Sequence, residues 1–270
     1  MVSGGWLLLV AVVLGIVEGT TEFVPVSSTG HLILVGHWLA FPEAKASAFN
    51  VFIQLGGVLA LLWFYRVRLL GLAAALGSDE RARNFVAKIA LAFVPAAVIG
   101  LAFHDWIVAV LFAPLPIAVA LAVGGIAFLI VDGPGTRPVE TEALEAVTWR
   151  QAFLIGVAQV AALWPGISRS GSTILGGLAV GLSRSAALEF SFFLAIPTLG
   201  AASVFALWES RDHLAAADTG VFATGLVVSF VVSLLAITAL LRYVQTNDLR
   251  LFGWYRIVLA TVIVAQSVLG

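Results

Sequence analysis

GIVEGTTEFVPVSSTGHLILVG, residues 15–36, is where an otherwise apolar chain turns polar. It carries Glu18, Glu22, Pro25, a run of hydroxyls and His31. At an offset of 141 residues it lies over GVAQVAALWPGISRSGSTILGG, residues 156–177. Gly15 meets Gly156, Ser27 meets Ser168, Gly30 meets Gly171, Ile33 meets Ile174 and Leu34 meets Leu175. Glu18 falls on Gln159, and Thr29 on Ser170. In both copies a polar stretch rich in Gly, Pro and Ser, 24–30 and 164–172, interrupts apolar sequence. Interrupted apolar segments at corresponding positions of two halves mark an internal repeat around a mid-membrane site. Non-helical backbone at that depth is tolerated only inside protein or beside a wet cavity. Residues 6–41 and 151–182 are therefore predicted to be two re-entrant helix–loop–helix hairpins.

The rest of the chain fits that reading. Of 270 residues, 61% are hydrophobic and 11% charged, against roughly 25% charged in a soluble domain. Mean hydropathy is +1.08. Apolar runs recur at about 6–24, 31–41, 49–65, 86–103, 109–131, 151–163, 173–182, 186–208, 219–241 and 252–269. They are continuous, unlike the alternating strands of a membrane barrel. Six approach the ~20 residues of a span: 49–65, 86–103, 109–131, 186–208, 219–241 and 252–269. The expectation is an all-α polytopic membrane protein in a single domain, residues 1–270. It has six transmembrane helices and two re-entrant hairpins, in an inverted internal repeat of about 6–103 and 109–269. The N-terminal run has neither a basic flank nor a small-residue cleavage site, so it reads as part of the fold. A net charge of −1 argues against nucleic acid, and the lack of cysteine excludes disulfides and thiolate metal sites.

Charge sets the orientation. With both hairpins re-entrant and the N-terminus outside, four connections face the cytoplasm: 66–85, 132–150, 183–185 and 242–251. They and their flanks hold Arg66, Arg68, Arg81, Arg83, Lys88, Arg137, Arg150, Arg184, Arg242, Arg250 and Arg256. Only Lys45 and Arg211 fall outside, with Arg169 deep in the second hairpin. This satisfies the positive-inside rule. The first hairpin then opens outward and the second inward.

Ionisable groups within apolar segments are functional candidates, because each is costly to insert. Here they are Glu18, Glu22, His31, Arg169 and Glu189. Four residues apart, Glu18 and Glu22 share one helix face. Two such carboxylates need a proton, an arginine or a cation between them. Mg²⁺ or Ca²⁺ suits their oxygen ligands. Ser27 and Ser28 are candidate nucleophiles; Ser27 is the expected one, with Glu22 or His31 as base, and His31 itself is the rival nucleophile. The break before His31 also offers a capped helix start, which is an anion site. Arg169 can pair with phosphate, with Ser168, Ser170 and Thr173 adding donors to a helix expected to begin near Thr173. An ion pair from Arg169 to Glu18 or Glu22 is the structural alternative. His37, His104 and His213 read as interfacial, most Trp as interface belts, and Glu189 as a helix-end charge. Together the set suits binding and cleaving a phosphate ester or anhydride carried on a lipid.

At these residues the sequence resembles the undecaprenyl-diphosphate phosphatase family, also called bacitracin-resistance proteins. EGTTEFVPVSSTGH (18–31) is similar to its first signature and PGISRSGST (165–173) to its second. The likeness continues through FNVFIQLGG (49–57), GLSRSAALEFSFFLAIP (181–197) and FGWYRI (252–257). The resemblance implies hydrolysis of undecaprenyl diphosphate to undecaprenyl phosphate, recycling the carrier lipid for peptidoglycan. It also implies dependence on Mg²⁺ or Ca²⁺, and an inner-membrane site opening to the outer face. It carries over catalytic roles to Ser27, His31, Glu22 and Arg169, and metal binding to Glu18 and Glu22. Phosphate binding falls to Ser28, Ser168, Arg169, Ser170 and Thr173. Asn50 departs from an acidic residue present in some members. The expected partners are a polyprenyl diphosphate and membrane lipids, and a homodimer is among the candidate assemblies. The rival readings are a lipid-phosphate transporter or flippase, or a bifunctional protein, because broken helices in inverted repeats are also transporter architecture.

Overall fold

The computed structural model describes residues 4–133, 138–210 and 219–269. Arg137, Arg211 and His213, used above for orientation and as an interfacial site, lie outside them. The described chain is helical: α1 (Gly4–Thr21), α2 (Ser28–Trp38), α3 (Glu43–Phe64), α4 (Arg66–Ala75), α5 (Glu80–Ala102), α6 (His104–Leu111), α7 (Pro114–Val131), α8 (Trp149–Gln159), α9 (Arg169–Ala179), α10 (Arg184–Ser210), α11 (Thr219–Thr246) and α12 (Arg250–Leu269). Two of these were not expected. The start of the 66–85 connection is helical as α4, and the 109–131 run is preceded by α6. Among the described residues, six helices are long and apolar enough to cross a membrane: α1, α3, α5, α7, α10 and α11. Five match the sequence expectation. The sixth is α1, within the segment expected as the first hairpin, and α12 (Arg250–Leu269) covers the remaining expected run, 252–269.

In lipid a helix must satisfy its own backbone, so helices then associate by close packing. Glycine sets the approach distances. A Cβ on Gly15 of α1 would lie 2.7 Å from the Gly225 carbonyl oxygen of α11, and one on Gly19 2.8 Å from that of Ser229. α11 also packs on α3, α8 on α5, α10 on α3 and α5, and α7 on α12. Outward faces stay apolar, with Val98, Leu101, Ile130, Leu235 and Val258 exposed. A water-soluble surface rarely carries so much contiguous apolar area.

Both short pairs fold back on themselves. α8 starts from a Thr148/Gln151 capping box, and the Gln151 amide reaches the Val180 carbonyl at the far end of α9, at 3.0 Å. The open ends of α8 and α9 therefore lie side by side. α1 and α2 pack likewise, and Val10, Leu32, Phe41 and Phe49 share one apolar cluster.

One end of the bundle collects charge. Arg184 pairs with Asp132 at 2.8 Å, and Asp132 also accepts the Leu249 N–H at 2.7 Å. Arg68 pairs with Glu145 and, at 3.2 Å, with Glu189; Lys88 donates to the Val147 carbonyl at 2.6 Å. These contacts bring the connections expected on one side of a membrane onto one face. Glu189, expected as a helix-end charge, lies instead in the second turn of α10, because that helix begins at Arg184, and it pairs with Arg68.

Among the described residues Gly156 makes the closest glycine approach to another helix's backbone, since a Cβ there would sit 2.4 Å from the Ala92 carbonyl oxygen on α5. Gly156→Val is expected to cost about 1–3 kcal/mol through overpacking. A thermal melt in detergent should fall by several degrees, and an unchanged melt would contradict this packing.

Candidate active site

Each hairpin breaks at a serine held in a conformation that L-residues avoid. Ser27 has φ 71° and Ser168 has φ 74°. Each caps the helix that follows: Ser27 Oγ accepts the Gly30 N–H at 3.5 Å, and Ser168 Oγ accepts the Gly171 N–H at 3.1 Å. Left-handed backbone at a non-glycine residue stores strain and concentrates at functional positions. The helix after the second break begins at Arg169 rather than near Thr173, because Ser168 is its cap.

The two breaks meet. Arg169 Nη2 donates to Glu22 Oε1 at 3.1 Å, and Ser170 Oγ to the Val24 carbonyl at 3.4 Å. Glu22 Oε2 accepts the Ser28 hydroxyl at 2.7 Å. Thus Glu22 is held on one oxygen by each hairpin. Arg169 Nη1 also donates to the Ser191 carbonyl and hydroxyl, both at 3.2 Å, and Thr173 Oγ1 lies 2.7 Å from Ser191 Oγ. Ser191 on α10 was not singled out from sequence, because nothing distinguishes it from other helix serines.

Glu18 is 1% exposed, and neither carboxylate oxygen has a partner among the described residues. His31 turns away from the Ser27 hydroxyl. Its Nδ1 lies 2.8 Å from the Ser27 carbonyl and its Nε2 2.6 Å from the Tyr255 hydroxyl. A carbonyl can only accept, so Nδ1 carries the proton and Nε2 accepts from Tyr255. Both ring nitrogens are therefore engaged. The expected set comes together at the two breaks, with Glu18 and His31 behind the Glu22–Arg169 contact rather than bonded into it.

A cavity of about 450 Å³ adjoins the two helix starts. Its polar end presents Glu22, Ser27, Ser28, Ser168 and Arg169. Phe93, Leu101, Val108, Phe112 and Phe205 line the rest. Two N-terminal helix ends and a guanidinium beside an apolar chamber form a receptor for an anionic head group on a hydrocarbon. Two carboxylates with adjacent hydroxyls match the few-carboxylate pattern by which Mg²⁺ is held alongside substrate phosphates. The orphaned Glu18 oxygens fit that role.

The chain is similar to known proteins over nearly its whole length. Residues 11–262 match the family model for bacitracin resistance protein BacA. The chain is 48% identical to an undecaprenyl-diphosphatase of Ectopseudomonas mendocina, over 96% of this chain and 94% of that protein. It is 47% identical to one of Aromatoleum aromaticum over the same shares. It is 48% identical to one of Nitrosomonas europaea over 98% of this chain and 97% of that protein.

One residue central to the site escaped the sequence reading. Arg256 was counted as a cytoplasmic flank, but its side chain is fully buried, 0% exposed. It donates to the Pro25 carbonyl of the first break at 3.2 Å, and to Gly166 and Ile167 of the second at 2.9 and 2.8 Å. Gly124 leaves it room, since a Cβ there would lie 2.0 Å from Nη2. The available signal was an arginine placed inside an apolar run, 252–269. Arg256→Met is expected to leave those carbonyls unpaired, at about 1–3 kcal/mol each. The melt in detergent should drop sharply, and Arg256→Lys should recover only part, because an ammonium cannot span both breaks. Equal melts for the two variants and the native protein would refute the bridging role.

Proposed function

Because the chain belongs to the bacitracin resistance protein family, we propose that it hydrolyses undecaprenyl diphosphate to undecaprenyl phosphate and inorganic phosphate. The observation that carries this is Glu22, gripped by Ser28 from one hairpin and Arg169 from the other, at the polar end of an apolar cavity. The polyprenyl chain occupies the apolar chamber, and the diphosphate lies against the two helix N-termini.

We assign the nucleophile to Ser28 and not to Ser27. The Ser28 hydroxyl already donates to a carboxylate that can take its proton, while the Ser27 hydroxyl is occupied as a cap. Ser28 Oγ attacks the terminal phosphorus, its proton passes to Glu22, and undecaprenyl phosphate leaves. Water then cleaves the phosphoserine, releases phosphate and restores the hydroxyl. Arg169 shares its donors between Glu22 and the phosphate oxygens, offsetting charge as the bond breaks. Ser168, Ser170 and Thr173 hold the second helix start around the head group. His31, fixed by Tyr255, supports the Ser27 carbonyl and so the shape of the first break. Glu18 and Glu22 would hold Mg²⁺ or Ca²⁺, which supplies positive charge against the diphosphate when bound.

The same reading extends to the membrane. α1–α2 and α8–α9 re-enter from opposite sides as an inverted repeat, about 6–103 and 109–269 of one domain. Support comes from the matched caps at Ser27 and Ser168, and from the packing: exchanging α1 with α8, α3 with α10, and α5 with α11 maps the α1–α11 contact onto α8–α5 and α3–α11 onto α10–α5. The protein sits in the bacterial inner membrane with its site open to the outer face. α5 and α10 each start in the charged face and line the cavity with their far halves, so the cavity lies toward the opposite side. A flippase would use the same repeats, but the Ser28–Glu22 pair favours hydrolysis.

Phosphate release from undecaprenyl diphosphate by purified protein in detergent is the test. Ser28→Ala should abolish turnover. Arg169→Ala should lose about 10²–10³-fold, the scale of one oxyanion donor. Ser27→Ala should act mainly through a lost cap worth ~1 kcal/mol. Full turnover in Ser28→Ala would move the nucleophile elsewhere. Lipid translocation in liposomes with no phosphate released would replace the hydrolase by a transporter. Chelation with EDTA should silence the protein, and Mg²⁺ or Ca²⁺ should restore it; activity that survives chelation would remove the cation from the site.

A further inference from the structure

Gln159 ends α8, where the chain tightens into the 3-10 turn Val160–Leu163 that leads to the second break. Its side chain is 1% exposed and lines the same cavity as Glu22, Ser28, Ser168 and Arg169. The Thr198 hydroxyl is shared between the Leu194 carbonyl at 2.8 Å and Gln159 Oε1 at 3.3 Å. That contact fixes one end of the amide. The other end, Nε2, has two N–H donors and no partner among the described residues. A buried donor without an acceptor is a destabilising feature that a protein retains where something arrives to pair with it. No acceptor among the described residues bonds this amide, so its acceptor comes with the ligand.

The sequence position sharpens this. Gln159 falls on Glu18 at the 141-residue offset, and Glu18 is likewise a fully buried side chain with orphaned polar atoms. One half thus presents a carboxylate, suited to a cation, and the other a neutral amide, suited to an anion. A third carboxylate in the second position would repel a diphosphate. We infer that Gln159 is a further substrate-binding residue, its free amide donating to a phosphate oxygen of the lipid diphosphate while Thr198 holds its orientation. This rests on the diphosphatase reading for the identity of the head group.

The test uses the full chain in detergent with Mg²⁺ and two ligands: undecaprenyl diphosphate, and a methylene-bridged polyprenyl diphosphonate that cannot be hydrolysed. Gln159→Met keeps the side-chain length and removes the donors. It is expected to raise KM and the analogue Kd in parallel by about tenfold or more, the scale of a hydrogen bond to a charged group, and to leave kcat within about threefold. Its melt should be preserved or raised, whereas a purely structural role would lower the melt and spare analogue affinity. Gln159→Glu should bind the analogue more weakly still. Analogue affinity in Q159M within about twofold of native, or tighter binding by Q159E, would overturn the assignment. Should Q159M fail to fold, Thr198→Val decides: a weakened analogue affinity supports the inference and an unchanged one overturns it. If the native protein binds the analogue but releases no phosphate from the diphosphate, the hydrolase reading fails, and the affinities still judge Gln159.

Discussion

Breaking a helix inside an apolar medium frees carbonyls that neither water nor the next turn can reach, and the site depends on how they are satisfied. Arg256 answers for both breaks at once. One guanidinium binds Pro25 from the first hairpin and Gly166 and Ile167 from the second, and it is fully buried. Five N–H donors in a rigid plane suit this task better than any other side chain. The carbonyls turned toward Arg256 leave the helix N-termini facing the cavity. The cationic staple on one side and the anion-binding surface on the other are thus two consequences of one backbone arrangement.

With the breaks joined, the halves become incomplete without each other. The carboxylate of Glu22 belongs to the first hairpin and its arginine to the second, and α10 supplies Ser191 to hold both Arg169 and Thr173. A buried ion pair is weak evidence for stability, since desolvating two charges offsets their attraction. Its value here lies in register: Arg169 and Ser28 reach one carboxylate only when the helix starts are correctly opposed.

Sequence reading found the parts whose signal is local. Polar residues in an apolar run exposed Glu18, Glu22, Ser27, Ser28, His31 and Arg169, and the offset of 141 paired the breaks. It failed where the deciding fact was three-dimensional. Arg256 lies near the start of an apolar run, the usual place for a snorkelling cation, and only the packing of α12 on α7 turns it inward. Ser27 and Ser28 are equivalent as letters, and the positive φ at Ser27 is what makes one a cap and leaves the other facing Glu22. Tyr255 and Ser191 act across more than a hundred and across about twenty residues respectively, and no periodicity links them to His31 or Arg169. Gln159 was seen only as the counterpart of Glu18, because an uncharged amide raises no alarm in an apolar segment.

The offset that pairs Ser27 with Ser168 also pairs Ser28 with Arg169, the first residue of α2 with the first residue of α9. In the repeat we propose, the two helices began as equivalent anion-binding starts, each with a capping serine and a set of free N–H groups. Two identical starts would bind phosphate without cutting it. Divergence at that one position gives a hydroxyl to one helix and a guanidinium to the other, and Glu22 meets both, Oε2 on Ser28 and Oε1 on Arg169. In the proposed mechanism, a carboxylate that accepts from the nucleophile on one oxygen and from the phosphate-binding cation on the other couples activation to binding. When phosphate draws Arg169 toward itself, Glu22 loses a competing donor and becomes a stronger acceptor for the Ser28 proton. In the mechanism proposed above, asymmetry between the two repeats, Ser28 against Arg169 and Glu22 against Leu163, is therefore what converts a binding architecture into a catalytic one.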